Sequence, residues 1–268
     1  MLTYQIKTTW KQLMRQTISG FGVIVFSLIY GCGSLNPHQE NTVPVNHDAF
    51  TGLLQQYVDE DGSVDYESFI SDEKTLKEYI SYLENNAPND SAWTEPEQIA
   101  YWINLYNAAT IALVLEHYPI NSIKDIGSSI QIPFVNTPWD IKFLEIAGEK
   151  YDLNNIEHNI LRKNWNEPRI HFAINCASKS CPRLRREAYT GDNLDAQLEE
   201  QAILFINDEF RNSITTESTE LSKIFSWFSG DFERDGDLKS FINRYSRVKM
   251  EDETNISFKP YDWSLNSQ

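Results

Sequence analysis

The spacing of apolar residues along the chain predicts a run of helices interrupted by a few short strands. Phe50, Leu53, Leu54, Tyr57 and Val58 follow His47-Asp48 at helical intervals. Asp59-Glu60-Asp61-Gly62 reads as a solvated turn before a short extended piece, Val64-Asp65-Tyr66, and it lacks the ligand pattern of a calcium-binding EF-hand loop. Residues 72–86 predict a second helix, with Leu76, Tyr79, Ile80 and Leu83 on one side. Thr94-Glu95-Pro96-Glu97 has the layout of a capping box. The helix it opens runs through Ile99, Trp102, Ile103, Tyr106, Ile111, Val114 and Leu115 and ends near Tyr118-Pro119. A helix apolar on most sides lies at the centre of its domain, so Trp102 and Ile103 are expected in the core.

Further along, residues 139–153 predict a hairpin turning at Ala147-Gly148-Glu149, and residues 154–165 a short helix. Residues 169–176 alternate as a strand would, with Ile170, Phe172 and Ile174 on one face and His171, Ala173 and Asn175 on the other. Residues 192–210 and a stretch near 237–245 predict two more helices among short extended segments. There is no regular βαβ alternation, which points to an α+β class: a single helix-rich domain with short strands around a long buried central helix.

The amino-terminal pattern is different. Lys7, Lys11 and Arg15 precede any acidic residue, and an apolar run from Ile18 through Val25 to Ile29 stops at Tyr30-Gly31-Cys32. This is the layout of a secretory signal, and the run is shorter than a bilayer span requires. Leu28-Ile29-Tyr30-Gly31-Cys32 resembles a lipobox, although Tyr30 is bulkier than the small residue expected there. The reading is a signal peptide over residues 1–31, acylation of Cys32, a polar tether over residues 32–45 and a globular domain over residues 46–268. It implies a lipid-anchored protein of the cell envelope, outside the cytoplasm, held to the membrane through acyl chains on Cys32.

Charge then narrows the partners. Losing the three basic side chains of residues 1–31 takes the formal charge from −16 to −19. Such a body repels phosphate backbones, which argues against nucleic acid as a partner. Seven Trp, thirteen Tyr and fourteen Phe argue for a packed core instead of disorder.

Candidate chemistry concentrates where polar groups interrupt apolar segments. Asn104 and Asn107 lie three apart on the central helix, and buried amides need partners. They either pin neighbouring backbone or orient a reacting group. His158 and Arg162 share a helix face, while Glu157 points elsewhere unless the turn is distorted. The expected strand over residues 169–176 carries His171 and Asn175 on one face and ends at Cys176, where a small polar loop leads to Cys181-Pro182.

Four stretches resemble the family known as domain of unknown function 547. They are Tyr101-Trp102-Ile103-Asn104-Leu105-Tyr106-Asn107-Ala108, Ile156-Glu157-His158-Asn159-Ile160-Leu161-Arg162, His171-Phe172-Ala173-Ile174-Asn175-Cys176-Ala177-Ser178-Lys179-Ser180-Cys181-Pro182 and the closing Tyr261-Asp262-Trp263-Ser264-Leu265-Asn266. The resemblance spans roughly residues 90–268 and implies a candidate site but no agreed activity.

Three chemistries fit these residues. In the first, Cys176 or Cys181 is a nucleophile for acyl transfer or hydrolysis, with His171 or His158 as base and Asn104, Asn107 or Asn175 as orienting groups. All five histidines precede Cys176, which is not the chain order of papain-like enzymes. In the second, Cys176 and Cys181 form a disulfide, and the protein is a binding or scaffold lipoprotein. In the third, His158, His171, Cys176 and Cys181 hold zinc, at spacings that match no familiar finger. The first two call for no cofactor.

Overall fold

A computed structural model describes residues 42–127 and 137–268. Every described residue belongs to one compact unit, Leu35–Gln268. The expected signal peptide, Cys32 and most of the tether lie outside the described residues.

The first helices are α1 (Asp48–Tyr57), the single turn α2 (Tyr66–Phe69) and α3 (Glu73–Glu84). Their apolar faces meet through stacked pairs, Phe50 on Tyr79 at 5.0 Å and Tyr57 on Phe69 at 4.3 Å. They pack against the long helix α4 (Glu95–His117), which begins where the Thr94 N–H donates to the Glu97 carboxylate at 2.7 Å. That bond satisfies one donor that the helix start would leave orphaned. Every residue from Ile99 to Leu115 is buried, Trp102 and Ile103 among them. Among the described helices, α4 is the one long and apolar enough to cross a membrane, yet 94 % of its most apolar stretch is buried inside the domain. It is the core helix that its sequence predicts.

After α4 come the hairpin β1 (Leu144–Ile146) and β2 (Glu149–Tyr151), which pair antiparallel. Its turn uses Ala147 and Gly148 at φ values of 53° and 79°. In the next stretch the expected helix over residues 154–165 is present, but with a π-helical middle, Asn155–Leu161, that runs on into α5 (Arg162–Asn164). One expectation fails. The expected strand over residues 169–176 is a 3-10 helix, Pro168–Phe172, followed by irregular chain. Pro168 has no N–H to give and starts the turn, and the Glu167 carboxylate caps it by accepting from the Arg169 N–H at 3.1 Å. Ile170, His171 and Phe172 are all buried, so the period-two alternation never marked an inner and an outer face.

The remainder is α6 (Leu194–Ile206), β3 (Ser213–Ile214), β4 (Ser218–Leu221), α7 (Lys223–Trp227), α8 (Ser229–Phe232), α9 (Leu238–Tyr245) and β5 (Asn255–Phe258). The three strands form a small sheet ordered β3-β4-β5, antiparallel and then parallel. The result is a mostly helical domain with short strands around one long buried helix. Its interior has two parts, one around α1 to α4 and one rich in phenylalanine, where Phe172, Phe205, Phe225, Phe232 and Phe241 meet between α6 and α9. The carboxyl-terminal tail crosses back over the first part: the Leu265 N–H donates to the Asn121 carbonyl at 2.8 Å and the Lys179 N–H to the Ser264 carbonyl at 2.9 Å. This return carries Tyr261 and Trp263 to the site.

Candidate functional site

The loop after the 3-10 helix closes on itself. Cys176 and Cys181 are joined by a disulfide, with Cα atoms 6.1 Å apart. The loop is shaped by Asn175, whose side chain accepts from the Ala177 N–H at 2.8 Å and donates to the Pro182 carbonyl at 2.7 Å. Ala177 takes the left-handed conformation, φ 57°, that the tight return requires. Arg211 braces the outside by donating to the Cys181 carbonyl at 2.6 Å and the Lys179 carbonyl at 3.1 Å. This corrects two expectations at once. A disulfide sulfur is neither a thiolate nucleophile nor a zinc ligand. Cys176 and Cys181 therefore cannot carry a thiol-dependent acyl transfer or hydrolysis. Nor can they complete a zinc set with His158 and His171, and among the described residues no group of three or more His, Cys, Asp or Glu side chains is placed to hold a metal.

The disulfide forms part of the wall of a cavity of about 150 Å³ that draws on both parts of the core. His158 and His171 line it together with Glu157 and Tyr106. The π-helix explains why Glu157 and His158, adjacent in sequence, reach the same space. Its wider turn rotates neighbouring side chains closer than an α-helix does. Glu157 is buried and takes a hydrogen bond from the Tyr106 hydroxyl at 3.4 Å. Burial pushes its carboxyl up to about 7, against the opposing pull of the Arg162 charge.

Behind this floor sits a charged cluster centred on one carboxylate. Asp231, on α8, accepts from Arg162 Nε at 2.6 Å, from His171 Nε2 at 2.8 Å and from Arg234 at 2.7 Å. Burial works to raise the Asp231 carboxyl, but the bonds from His171 and Arg162 overcome it and hold the group well below the usual carboxylate range. Burial lowers His171 below the ordinary histidine value, and the Asp231 hydrogen bond only partly offsets this. His171 is thus neutral with its proton on Nε2, and Nδ1 is the acceptor nitrogen. Arg162 also donates to His158 Nδ1 at 2.9 Å. Arginine can only donate, so neutral His158 carries its proton on Nε2. Burial and then the Arg162 charge lower the His158 value.

Aromatic rings make up much of the rest of the lining. Trp227, Tyr261 and Trp263 pack on one another with centroids 4.6 to 5.8 Å apart, and Trp139 meets Trp263 edge-on at 5.6 Å. Trp227 remains 48 % exposed at the mouth. The Tyr261 hydroxyl lies 3.3 Å from the Cys176 sulfur and ties this wall to the disulfide loop.

Asn104 and Asn107 do not line the cavity. Each holds backbone from the buried helix. Asn104 donates to the Tyr189 carbonyl at 2.8 Å and accepts from the Tyr189 N–H at 2.9 Å. Asn107 donates to the Ala173 carbonyl at 3.0 Å and accepts from the Asn175 N–H at 2.8 Å. Asn175 sits behind the disulfide, outside the lining, so of the expected residues the structure gathers His158, His171, Cys176 and Cys181 around one space.

Residues 91–206 match the family described as "Protein of unknown function, DUF547". Neither the comparison with curated proteins nor that with solved structures gives a match. The matched segment covers α4, the π-helix and the disulfide loop, which are the cavity's floor and one side. Trp227, Asp231, Tyr261 and Trp263 follow after the matched DUF547 segment, so this chain completes the site with residues from its last third. Sequence reasoning missed that contribution. Tyr261 and Trp263 carried a signal in the closing motif, whereas nothing around Asp231 sets it apart from the other acidic residues of the chain.

Proposed function

We propose that this chain is a lipid-anchored protein of the cell envelope that binds a small ligand in the aromatic cleft, without thiol chemistry. The observation that carries the binding reading is the mixed lining of the cleft: aromatic rings make up much of it, and a carboxyl, two imidazoles and the Asn154 amide join them around the same small space. Apolar pockets with a few convergent polar groups are the usual form of small-molecule sites. The disulfide supports the envelope reading, because such bonds persist in oxidising compartments. The lipobox-like Tyr30-Gly31-Cys32 supports the anchor, and replacing Cys32 with Ser should abolish acylation; retention of a lipidated, membrane-bound product would contradict it.

The binding reading is tested with ring-sized fragments of mixed chemistry, followed by tryptophan fluorescence before and after treatment with iodoacetamide in the absence of reductant. Binding should persist after treatment, because a closed disulfide does not alkylate, and should be lost in Trp227→Ala. Loss of binding on alkylation, or binding undisturbed in Trp227→Ala, would contradict it.

A further inference from the structure

The cavity itself restricts what it can hold. Cavities of about 150 Å³ accommodate roughly one six-membered ring. An anion would meet the Glu157 carboxyl, and among the described lining residues there is no Lys or Arg to bond it directly. A cation meets the opposite difficulty. Two of the cleft's rings already carry protein cations, Arg162 at 4.8 Å from the Phe228 centroid and Lys124 at 3.7 Å from that of Trp263. A third positive charge on these rings would be repelled by both. A wholly apolar ring would strip water from Glu157, His158 and His171 and return no hydrogen bond.

What remains is a neutral ring with an apolar face and a hydroxylated edge. His158 offers a donor at Nε2 and His171 an acceptor at Nδ1, while the Glu157 carboxyl can do either when protonated. A hydroxyl both donates and accepts, so one ring edge satisfies this mixed set, while its C–H face lies on the Trp227 and Trp263 wall. We propose that the cleft binds a single hexopyranose unit, with its hydroxyls on Glu157, His158 and His171 and its apolar face on the tryptophans. This assignment rests on the binding reading above.

The test uses the purified full chain and saturation-transfer NMR with fixed probes. These are the methyl glycosides of glucose, galactose, mannose and N-acetylglucosamine, together with benzyltrimethylammonium and indole. At least one glycoside should take up saturation at its ring C–H protons, and its affinity should fall at least tenfold in Trp227→Ala. Should that variant melt early, His158→Ala serves, since His158 is exposed and its loss leaves the core untouched. Binding of benzyltrimethylammonium or indole, sensitive to Trp227→Ala and with no glycoside bound, overturns the sugar assignment and leaves the binding reading standing. No response from any probe overturns both.

Discussion

Two groups of polar side chains sit in apolar surroundings here, and they are used in opposite ways. On α4, Asn104 and Asn107 each make a reciprocal pair of bonds to the backbone of another segment. Their hydrogen-bonding capacity is spent on holding the chain. Across the cleft, the Asp231 cluster fixes His171 and Arg162, and Arg162 fixes His158, but one nitrogen of each imidazole stays uncommitted. Glu157 has one long bond from Tyr106 and sits at a carboxyl value raised by burial. Buried polar groups are normally satisfied. The α4 amides obey that rule within the protein; in the cleft, Glu157 and His171 are buried with hydrogen-bonding capacity to spare, and His158 is exposed.

The amides should show the larger effect on stability. Asn107→Ala leaves the Ala173 carbonyl and the Asn175 N–H without their partner, at about 1–3 kcal/mol each, so urea unfolding should register a loss of about 2–6 kcal/mol. A loss under about 0.5 kcal/mol would mean that Asn107 pins nothing.

Glu157 should behave in the reverse sense. Its folded value of about 7 lies above the ordinary 4.5, so the folded state holds a proton that the unfolded state has released. Stability therefore falls as pH rises from about 4.5 to 7, by roughly 3 kcal/mol at 1.36 kcal/mol per unit. The groups facing it are Tyr106, Arg162, Asp231 and the imidazoles of His158 and His171, both lowered by burial, so the wild type is compared with Glu157→Gln under the same conditions. Glu157→Gln should gain on the wild type as pH rises from 4.5 to 8; a constant difference between the two would show that the carboxyl titrates normally.

Much of the scaffold half of this comparison is legible in the sequence. The capping box and unbroken apolar run of α4 specify a core helix whatever surrounds it, and Ala147-Gly148 marks the β1–β2 turn because the backbone there needs positive φ. The cleft half is not legible, for local reasons. Alternation at residues 169–176 looks the same whether one face is buried or both are, and here both are. The π-helix that turns Glu157 toward His158 leaves no periodic trace over seven residues. Asp231 reaches His171 from sixty residues away, a pairing that only the fold makes.

Smaller effects sharpen the contrast further. Replacing both Cys176 and Cys181 with Ala should cost about 2 kcal/mol, the loop-closure entropy of so short a ring, and should loosen the wall that Tyr261 shares with the disulfide. An unchanged melting midpoint would show that the bridge adds nothing. Smallest of all, Trp227→Ala should shift stability by less than about 1 kcal/mol, because the ring is half exposed, while its effect on binding is large. A loss of several kcal/mol would make Trp227 a core residue and not a ligand wall.

The most direct measurement is to follow the indole N–H signals of the individual tryptophans by NMR while a cleft ligand is added. Trp139, Trp227 and Trp263 line the cleft, whereas Trp93 and Trp102 are buried around α4. The signals of Trp139, Trp227 and Trp263 should move with one saturating isotherm while those of Trp93 and Trp102 stay in place. Movement of Trp93 and Trp102 with the cleft signals still would contradict the division between a pinned scaffold and an open site.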